Sequence, residues 1–137
     1  MLKEMHTMKK KKLIGFSYAL NGIKSAFSTE RNLKIHGCAA VIVLIFAYIF
    51  RFSRQEYLVL ILTIGLVMVA ELVNTAIEAT VDLVCNEILK EQLKLDGYSE
   101  KAKLAKDVGA GAVLLAAVAS CVIGAMLFLP KILGGIL

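Results

Sequence analysis

Residues 71–82 have the sequence Glu71-Leu72-Val73-Asn74-Thr75-Ala76-Ile77-Glu78-Ala79-Thr80-Val81-Asp82, and fourteen uncharged residues, Tyr57 to Ala70, precede them. No proline interrupts residues 57–82, so the run predicts one continuous helix. At about 100° per residue, Glu71, Asn74, Glu78 and Asp82 fall within an arc of about 80°. Three carboxylates and an amide therefore share one stripe of a helix that is apolar elsewhere. Ionisable groups in a membrane-spanning helix are energetically costly and mark a functional site.

The composition indicates a small integral membrane protein. The chain has 137 residues, is 58% hydrophobic and contains one proline, and its apolar residues form long unbroken runs. These properties predict an all-α membrane domain with three transmembrane helices, preceded by a flexible tail and an amphipathic interfacial helix. The predicted ranges are 1–12 for the tail, 13–34 for the interfacial helix, and 35–52, 57–84 and 108–129 for the spans.

Three other features of the sequence have simple interpretations. Cys38, Cys85 and Cys121 show neither metal-ligand nor redox spacing, so we interpret them as packing residues. The net charge of +5 is not accompanied by a basic stripe with exposed aromatic residues, so nucleic acid is not an expected partner. The small residues Gly109-Ala110-Gly111 at the start of the third span predict close helix packing rather than a phosphate-binding loop.

The distribution of basic residues predicts the orientation of the spans. Eight lysines and arginines lie in residues 1–34 and five in residues 85–106, against three at Arg51, Arg54 and Lys131. Because lysine and arginine accumulate in cytoplasmic segments, the N-terminus and the second loop are expected on the cytoplasmic side of the cell membrane. The acidic stripe then lies near the cytoplasmic edge of the second span, at the level of Glu30 and Asp107.

Clustered carboxylates at a lipid–water boundary suit phosphoryl transfer. They can hold a hard divalent cation such as Mg²⁺, which usually brings phosphate with it, and one of them can act as a general base. A small oligomeric transporter or channel component would use similar residues, but acids near the membrane midplane would suit it better. A non-catalytic scaffold would leave the energetic cost of the acids unexplained.

The 71–82 motif resembles the defining motif of the prokaryotic diacylglycerol kinase family, which consists of small membrane-embedded lipid kinases. Three further segments fit the family in order and approximate spacing, so the resemblance covers residues 13–131: Thr29-Glu30-Arg31-Asn32, Ala105-Lys106-Asp107 and Phe128-Leu129-Pro130-Lys131. The first and last of these are similar to the undecaprenol kinases of Gram-positive bacteria more than to the enterobacterial enzymes. The resemblance implies a homotrimer in the bacterial cell membrane that transfers the γ-phosphate of MgATP to undecaprenol, with diacylglycerol as the alternative acceptor.

The resemblance also implies roles for individual residues. Glu71 would be the base that takes the proton of the lipid hydroxyl, and Asn74 would help to position the reacting groups. Glu30 and Glu78 would hold Mg²⁺ against the ATP phosphates. Without the resemblance, Asn74 also fits a contact between helices.

Nucleotide contacts are implied for Tyr18, Lys106 and Asp107, in addition to Glu30 and Glu78. Tyr18 also fits an aromatic anchor at the membrane surface. His36 fits a contact with lipid headgroups and receives no functional role.

The segment between Asp82 and Asp107 is longer than the family pattern. Charged residues recur in it at helical spacing, which predicts an extension of the second helix by about two turns: Glu87, Lys90, Glu91 and Lys94. The following Asp96-Gly97 predicts a turn. Such an extension would stand over the nucleotide as a lid, whereas a solvated insertion without a role is the alternative.

Overall fold

The computed structural model describes residues 2–92 and 99–134. These residues form the helices α1 (Leu2–Thr29), α2 (Arg31–Ile49), α3 (Arg54–Asp82) and α4 (Glu100–Gly134), and a π-helical segment, Leu83–Gln92, continues α3. Three of the described helices, namely α2, α3 with the start of its continuation, and α4, are long and apolar enough to cross a membrane. The chain is therefore a multi-pass membrane protein. The predicted all-α fold, with three membrane helices after an N-terminal helix, is confirmed.

The boundary between α1 and α2 differs from the prediction. Glu30 has an extended backbone, with φ −86° and ψ 119°, and it ends α1 four residues before the expected boundary at Lys34. Residues 31–34, three of which are polar and which the sequence pattern placed in the interfacial helix, instead form the first turn of α2. Lys34 Nζ donates a hydrogen bond to the Ser28 carbonyl oxygen at 2.7 Å, which satisfies an otherwise unpaired carbonyl near the end of α1.

The start of α1 also differs from the prediction. Residues 1–12 were expected to form a flexible tail, but α1 begins at Leu2. The physical reason is the composition of this segment, because residues 2–12 contain neither glycine nor proline and are rich in the helix-favouring residues lysine, leucine, methionine and glutamate. The helix consequently extends well beyond the predicted range of 13–34.

Helix α4 also exceeds its predicted range of 108–129. It begins at Glu100, in the charged segment, and continues through Pro130 to Gly134. The hydrophobic pattern marked the part of the helix that can lie in lipid and not the ends of the helix. A proline removes one backbone hydrogen bond and crowds the preceding turn, but here it lies in the last turns of a 35-residue helix.

A short turn joins α2 to α3 and is fixed by local chemistry. Arg51 has a φ of 51°, and Ser53 and Glu56 form a capping box, in which Ser53 Oγ accepts from the Glu56 N–H at 3.3 Å and Glu56 Oε2 accepts from the Ser53 N–H at 2.6 Å. Glu56 also lies 3.0 Å from Lys131 Nζ of α4. This end of the bundle, which we call the turn end, is thereby tied together across α3 and α4.

Helix α3 is the central element of the bundle. Its buried residues recur every three or four positions: Leu60, Thr63, Val67, Glu71 and Asn74. Glu71 and Asn74, the first two members of the acidic stripe, therefore continue the packed face of α3, whereas Glu78 is half-buried and Asp82 is exposed. Many aliphatic side chains elsewhere on α2, α3 and α4 are exposed in a single chain, as expected where lipid or another copy covers the surface.

Candidate active site

Glu71 is the most deeply buried acid described. Its relative exposure is 2%, and it lies on α3 where the packed face meets α2. Nε2 of His36, on α2, is 3.2 Å from Glu71 Oε1, but the ring nitrogen does not point an N–H at that oxygen in hydrogen-bond geometry. Oε1 therefore lacks a hydrogen-bond donor among the described residues. Buried polar atoms nearly always have a partner, so this oxygen is placed to accept a hydrogen bond from a bound group.

His36 is a residue of this site that the sequence interpretation missed. Its side chain is 27% exposed, so one part of the ring contacts the buried carboxylate and another part is accessible. The sequence did carry a signal, because His36 is the only histidine in the apolar run 35–47, and imidazole is a common proton-transfer group. The pairing with Glu71 could not be read from the sequence, since it depends on how α2 is aligned against α3.

Asn74 and Glu78 form the next part of the stripe. Asn74 Nδ2 donates a hydrogen bond to Glu78 Oε1 at 2.9 Å, and Asn74 is 8% exposed. Asn74 Oδ1 has no donor within the described part of the chain. Helix α4 packs directly on this side chain at Gly109, where a Cβ atom would lie 2.5 Å from Asn74 Oδ1. The predicted close packing at the start of the third span is confirmed at Gly109.

An ion pair connects the end of α3 with the start of α4. Lys106 Nζ lies 2.7 Å from Asp82 Oδ1, and the two side chains are 30% and 51% exposed. Asn86, in the π-helical segment, donates a second, longer hydrogen bond of 3.4 Å to the same oxygen. Asp82, the fourth member of the stripe, thus contacts the lysine for which a nucleotide contact is predicted. Asp107, beside it, is exposed.

Tyr18 and Glu30 lie apart from these contacts. Tyr18 is 71% exposed on α1, and half-buried Glu30 accepts a hydrogen bond from its neighbour Thr29 at 3.1 Å. Among the side chains that the structure describes, no group of three or more His, Cys, Asp or Glu could hold a metal ion. The acids expected to converge at one membrane edge therefore do not form such a cluster within one chain.

An apolar groove with a volume of about 290 Å³ runs between α2, α3 and α4. His36 lines one end of this interhelical groove and Phe128 the other, with Val43, Leu60 and Val67 among the residues between them. The groove thus runs from the turn end of the bundle to His36, which contacts Glu71. This arrangement can place a hydrocarbon chain in the groove with a polar end group next to Glu71.

The second helix extends beyond the expected span, as predicted, and is helical as far as Gln92. Cys85 in this segment is buried, in agreement with its interpretation as a packing residue, whereas Cys38 and Cys121 are exposed in a single chain. The predicted turn at Asp96-Gly97 lies outside the described residues. The role of the extension as a lid stays a prediction.

Comparison with known proteins identifies the family. The sequence profile of the family described as prokaryotic diacylglycerol kinase matches residues 17–128. A protein named diacylglycerol kinase from Synechocystis is 43% identical over 88% of this chain, and the match spans 64% of that relative's length. A protein named undecaprenol kinase from Bacillus subtilis is also 43% identical, over 85% of this chain and 87% of its own. A diacylglycerol kinase from Escherichia coli is 30% identical over 77% of this chain and 78% of its own. The chain therefore belongs to the prokaryotic diacylglycerol kinase family, a family of lipid kinases.

Proposed function

We propose that this protein transfers the γ-phosphate of ATP to the hydroxyl of a membrane lipid, with Glu71 as the general base. The observation that carries the proposal is the oxygen of Glu71 that is buried without a donor beside the His36 end of an apolar groove. A lipid alcohol has the two matching parts, a hydrocarbon chain for the groove and a hydroxyl that donates a hydrogen bond. A buried carboxylate that accepts this bond is well placed to remove the proton.

The chemistry of the step assigns separate tasks to the residues of α3. Glu71 accepts the hydroxyl proton while the lipid oxygen attacks the γ-phosphorus and ADP leaves. Asn74 holds Glu78 through the hydrogen bond to Oε1 and so fixes the direction of that carboxylate. In this proposal Lys106 contacts the phosphates of the nucleotide. Asp107 and Tyr18 make further contacts with the nucleotide.

The donor set fits Mg²⁺, which usually takes one or two protein carboxylates and completes its shell with water and phosphate. Glu30 and Glu78 carry hard oxygen ligands of this kind, and Asn74 holds the Glu78 carboxylate. When bound, the ion would neutralise charge on the ATP phosphates. Glu78, oriented by Asn74, would be its better-fixed ligand.

The proposed acceptor is undecaprenol, with diacylglycerol as the alternative. Overall identity does not choose between them, because relatives named for each activity are both 43% identical to this chain. The choice rests on the segments Thr29–Asn32 and Leu129–Lys131, which are similar to those of the undecaprenol kinases. We further propose a homotrimer in the bacterial cell membrane with its active site on the cytoplasmic side, supported by the exposed apolar helix faces and the distribution of basic residues.

The experiment that tests this proposal uses the purified full chain in mixed micelles with MgATP. Undecaprenol and diacylglycerol are offered separately and together, and transfer of labelled γ-phosphate to each lipid is measured. The proposal expects phosphorylated undecaprenol at the higher kcat/KM. Preferred phosphorylation of diacylglycerol would overturn the choice of acceptor only, and failure to phosphorylate either lipid would overturn the proposed activity. Cation flux in liposomes without lipid phosphorylation would instead identify a transporter.

A further inference from the structure

Because Glu71 is buried, it needs a second group to carry away the proton that it accepts. A base that takes a proton in every turnover must lose it before the next one. Glu71 is only 2% exposed, so direct exchange of this proton with bulk water is obstructed. A second group that contacts the carboxyl and also reaches solvent would remove the obstruction.

His36 meets both conditions. Its Nε2 atom is 3.2 Å from Glu71 Oε1, and its side chain is 27% exposed. Imidazole exchanges protons near neutral pH in either direction. Nε2 makes no hydrogen bond to Glu71 Oε1, and a neutral imidazole with its hydrogen on Nδ1 can accept a proton at Nε2.

The other titratable groups around His36 are less suited to this task. The ammonium group of Lys34, on the same helix, donates a hydrogen bond to the Ser28 carbonyl oxygen. Cys121 of α4 lines the same interhelical groove, among apolar side chains further along. Glu78 of α3 already accepts a hydrogen bond from Asn74. His36 therefore stands out as the neighbour that both contacts Glu71 and reaches solvent.

We propose that His36 receives the hydroxyl proton from Glu71 and passes it to water, so that Glu71 begins each turnover as a carboxylate. The proposal rests on the assignment of Glu71 as base. In the complete step the bond between the lipid oxygen and the γ-phosphorus forms, and the bond from that phosphorus to ADP breaks. The proton moves from the hydroxyl to Glu71, then to His36 Nε2, and leaves as imidazolium loses a proton to solvent. His36 acts through Glu71 and is a positioning residue with respect to the reacting atoms.

The test compares His36→Gln and His36→Ala with the wild type, using MgATP and the lipid acceptor identified above. We expect kcat to fall at least about tenfold, since proton transfer steps commonly contribute that much or more. The KM for ATP should change less than about twofold, because His36 is not among the proposed nucleotide contacts. The KM for the lipid is measured separately, since His36 lines one end of the interhelical groove. The chain's other histidine supplies the control, His6→Gln, which should retain wild-type kinetics.

The pH profile is the measurement that a purely structural role would not change. His36 must be neutral to receive the proton, so wild-type kcat should rise as the pH is raised from acid and imidazolium is lost. Both variants should lack this rise, whereas His6→Gln should keep it. Added free imidazole should restore part of the kcat of His36→Ala, where space is left, but not that of His36→Gln.

Two outcomes would overturn the role of His36: a kcat near the wild-type value in both variants, or an unchanged pH profile. A wild-type kcat that falls with increasing pH would do the same, because it would mean that the charged ring is the active form. Glu71→Gln separates this inference from the proposed base. Normal turnover of Glu71→Gln would remove Glu71 as the base, while an inactive Glu71→Gln with normal His36 variants would remove only the proton transfer to His36.

Discussion

Gly109 of α4 lies so close to Asn74 of α3 that a Cβ atom at position 109 would come within 2.5 Å of the Asn74 Oδ1 atom. Because Gly109 has no side chain, the Asn74 side chain can occupy this position between α3 and α4. Asn74 in turn holds Glu78. Helix packing and site geometry depend on the same contact.

The first prediction follows from this contact. Gly109→Ala should displace Asn74, weaken its bond to Glu78 and destabilise the protein by about 1–3 kcal/mol, as is common for overpacking. We expect lower kcat and a lower thermal midpoint. Gly111→Ala is the matched control, because nothing lies within 4 Å of a Cβ atom there, and it should behave as the wild type. Equal effects of the two substitutions would show that the approach of Gly109 to Asn74 is unimportant.

The second prediction concerns the base. Glu71→Gln keeps the shape of the side chain but removes the proton acceptor, so kcat should fall by about 10² to 10⁴-fold. Binding of MgATP, measured directly, should remain nearly unchanged. Glu100→Gln at the exposed start of α4 is the control and should retain its activity. A Glu71→Gln enzyme with near-normal kcat would show that another group takes the proton.

The third prediction concerns the metal. Glu30→Ala and Glu78→Ala should each raise the Mg²⁺ concentration needed for half-maximal turnover, because affinity at such sites depends on the number and charge of oxygen ligands. High Mg²⁺ should restore part of the activity. Titration of lipid phosphorylation with Mg²⁺ measures this shift. If neither variant moves the requirement, both residues lie outside the metal site.

The fourth prediction concerns the continuation of α3. Replacement of residues 88–97 by a short Gly-Ser link should raise the KM for ATP and leave the KM for the lipid intact if this segment covers the nucleotide. Kinetics of both substrates in mixed micelles measure the effect. If the KM values for ATP and for the lipid are both unchanged, the segment is an insertion without a role and the lid hypothesis is wrong.

The sequence predicted the features that depend on periodicity within one helix. Glu71, Asn74 and Glu78 share a stripe because the helical period alone aligns them, and the small residue at position 109 indicated close packing before its partner was known. The break at Glu30 was misplaced because the polar residues after it suit both the end of an interfacial helix and the first turn of a membrane helix. Helix α1 begins before residue 13 because the lysine-rich segment also has high helix propensity.

Contacts between helices could not be predicted in the same way. The pairing of His36 with Glu71 depends on the alignment of α2 against α3, and the ion pair of Lys106 with Asp82 depends on the alignment of α4. The relation of Tyr18 and Glu30 to the stripe is not fixed by contacts within one chain, so their proposed roles depend on the family resemblance. The class of reaction was therefore easier to infer from the sequence than the complete set of site residues.

The π-helical form of Leu83–Gln92 has a consequence for how this protein can diversify. A π-helix has a wider turn than an α-helix, with hydrogen bonds to the fifth residue along, so one inserted residue can be absorbed as an expanded turn. Changes of length downstream of Asp82 then need not rotate residues 71–82 against α2 and α4. The length of the segment after Asp82 could therefore change repeatedly during evolution while the acidic stripe keeps its position against α2 and α4.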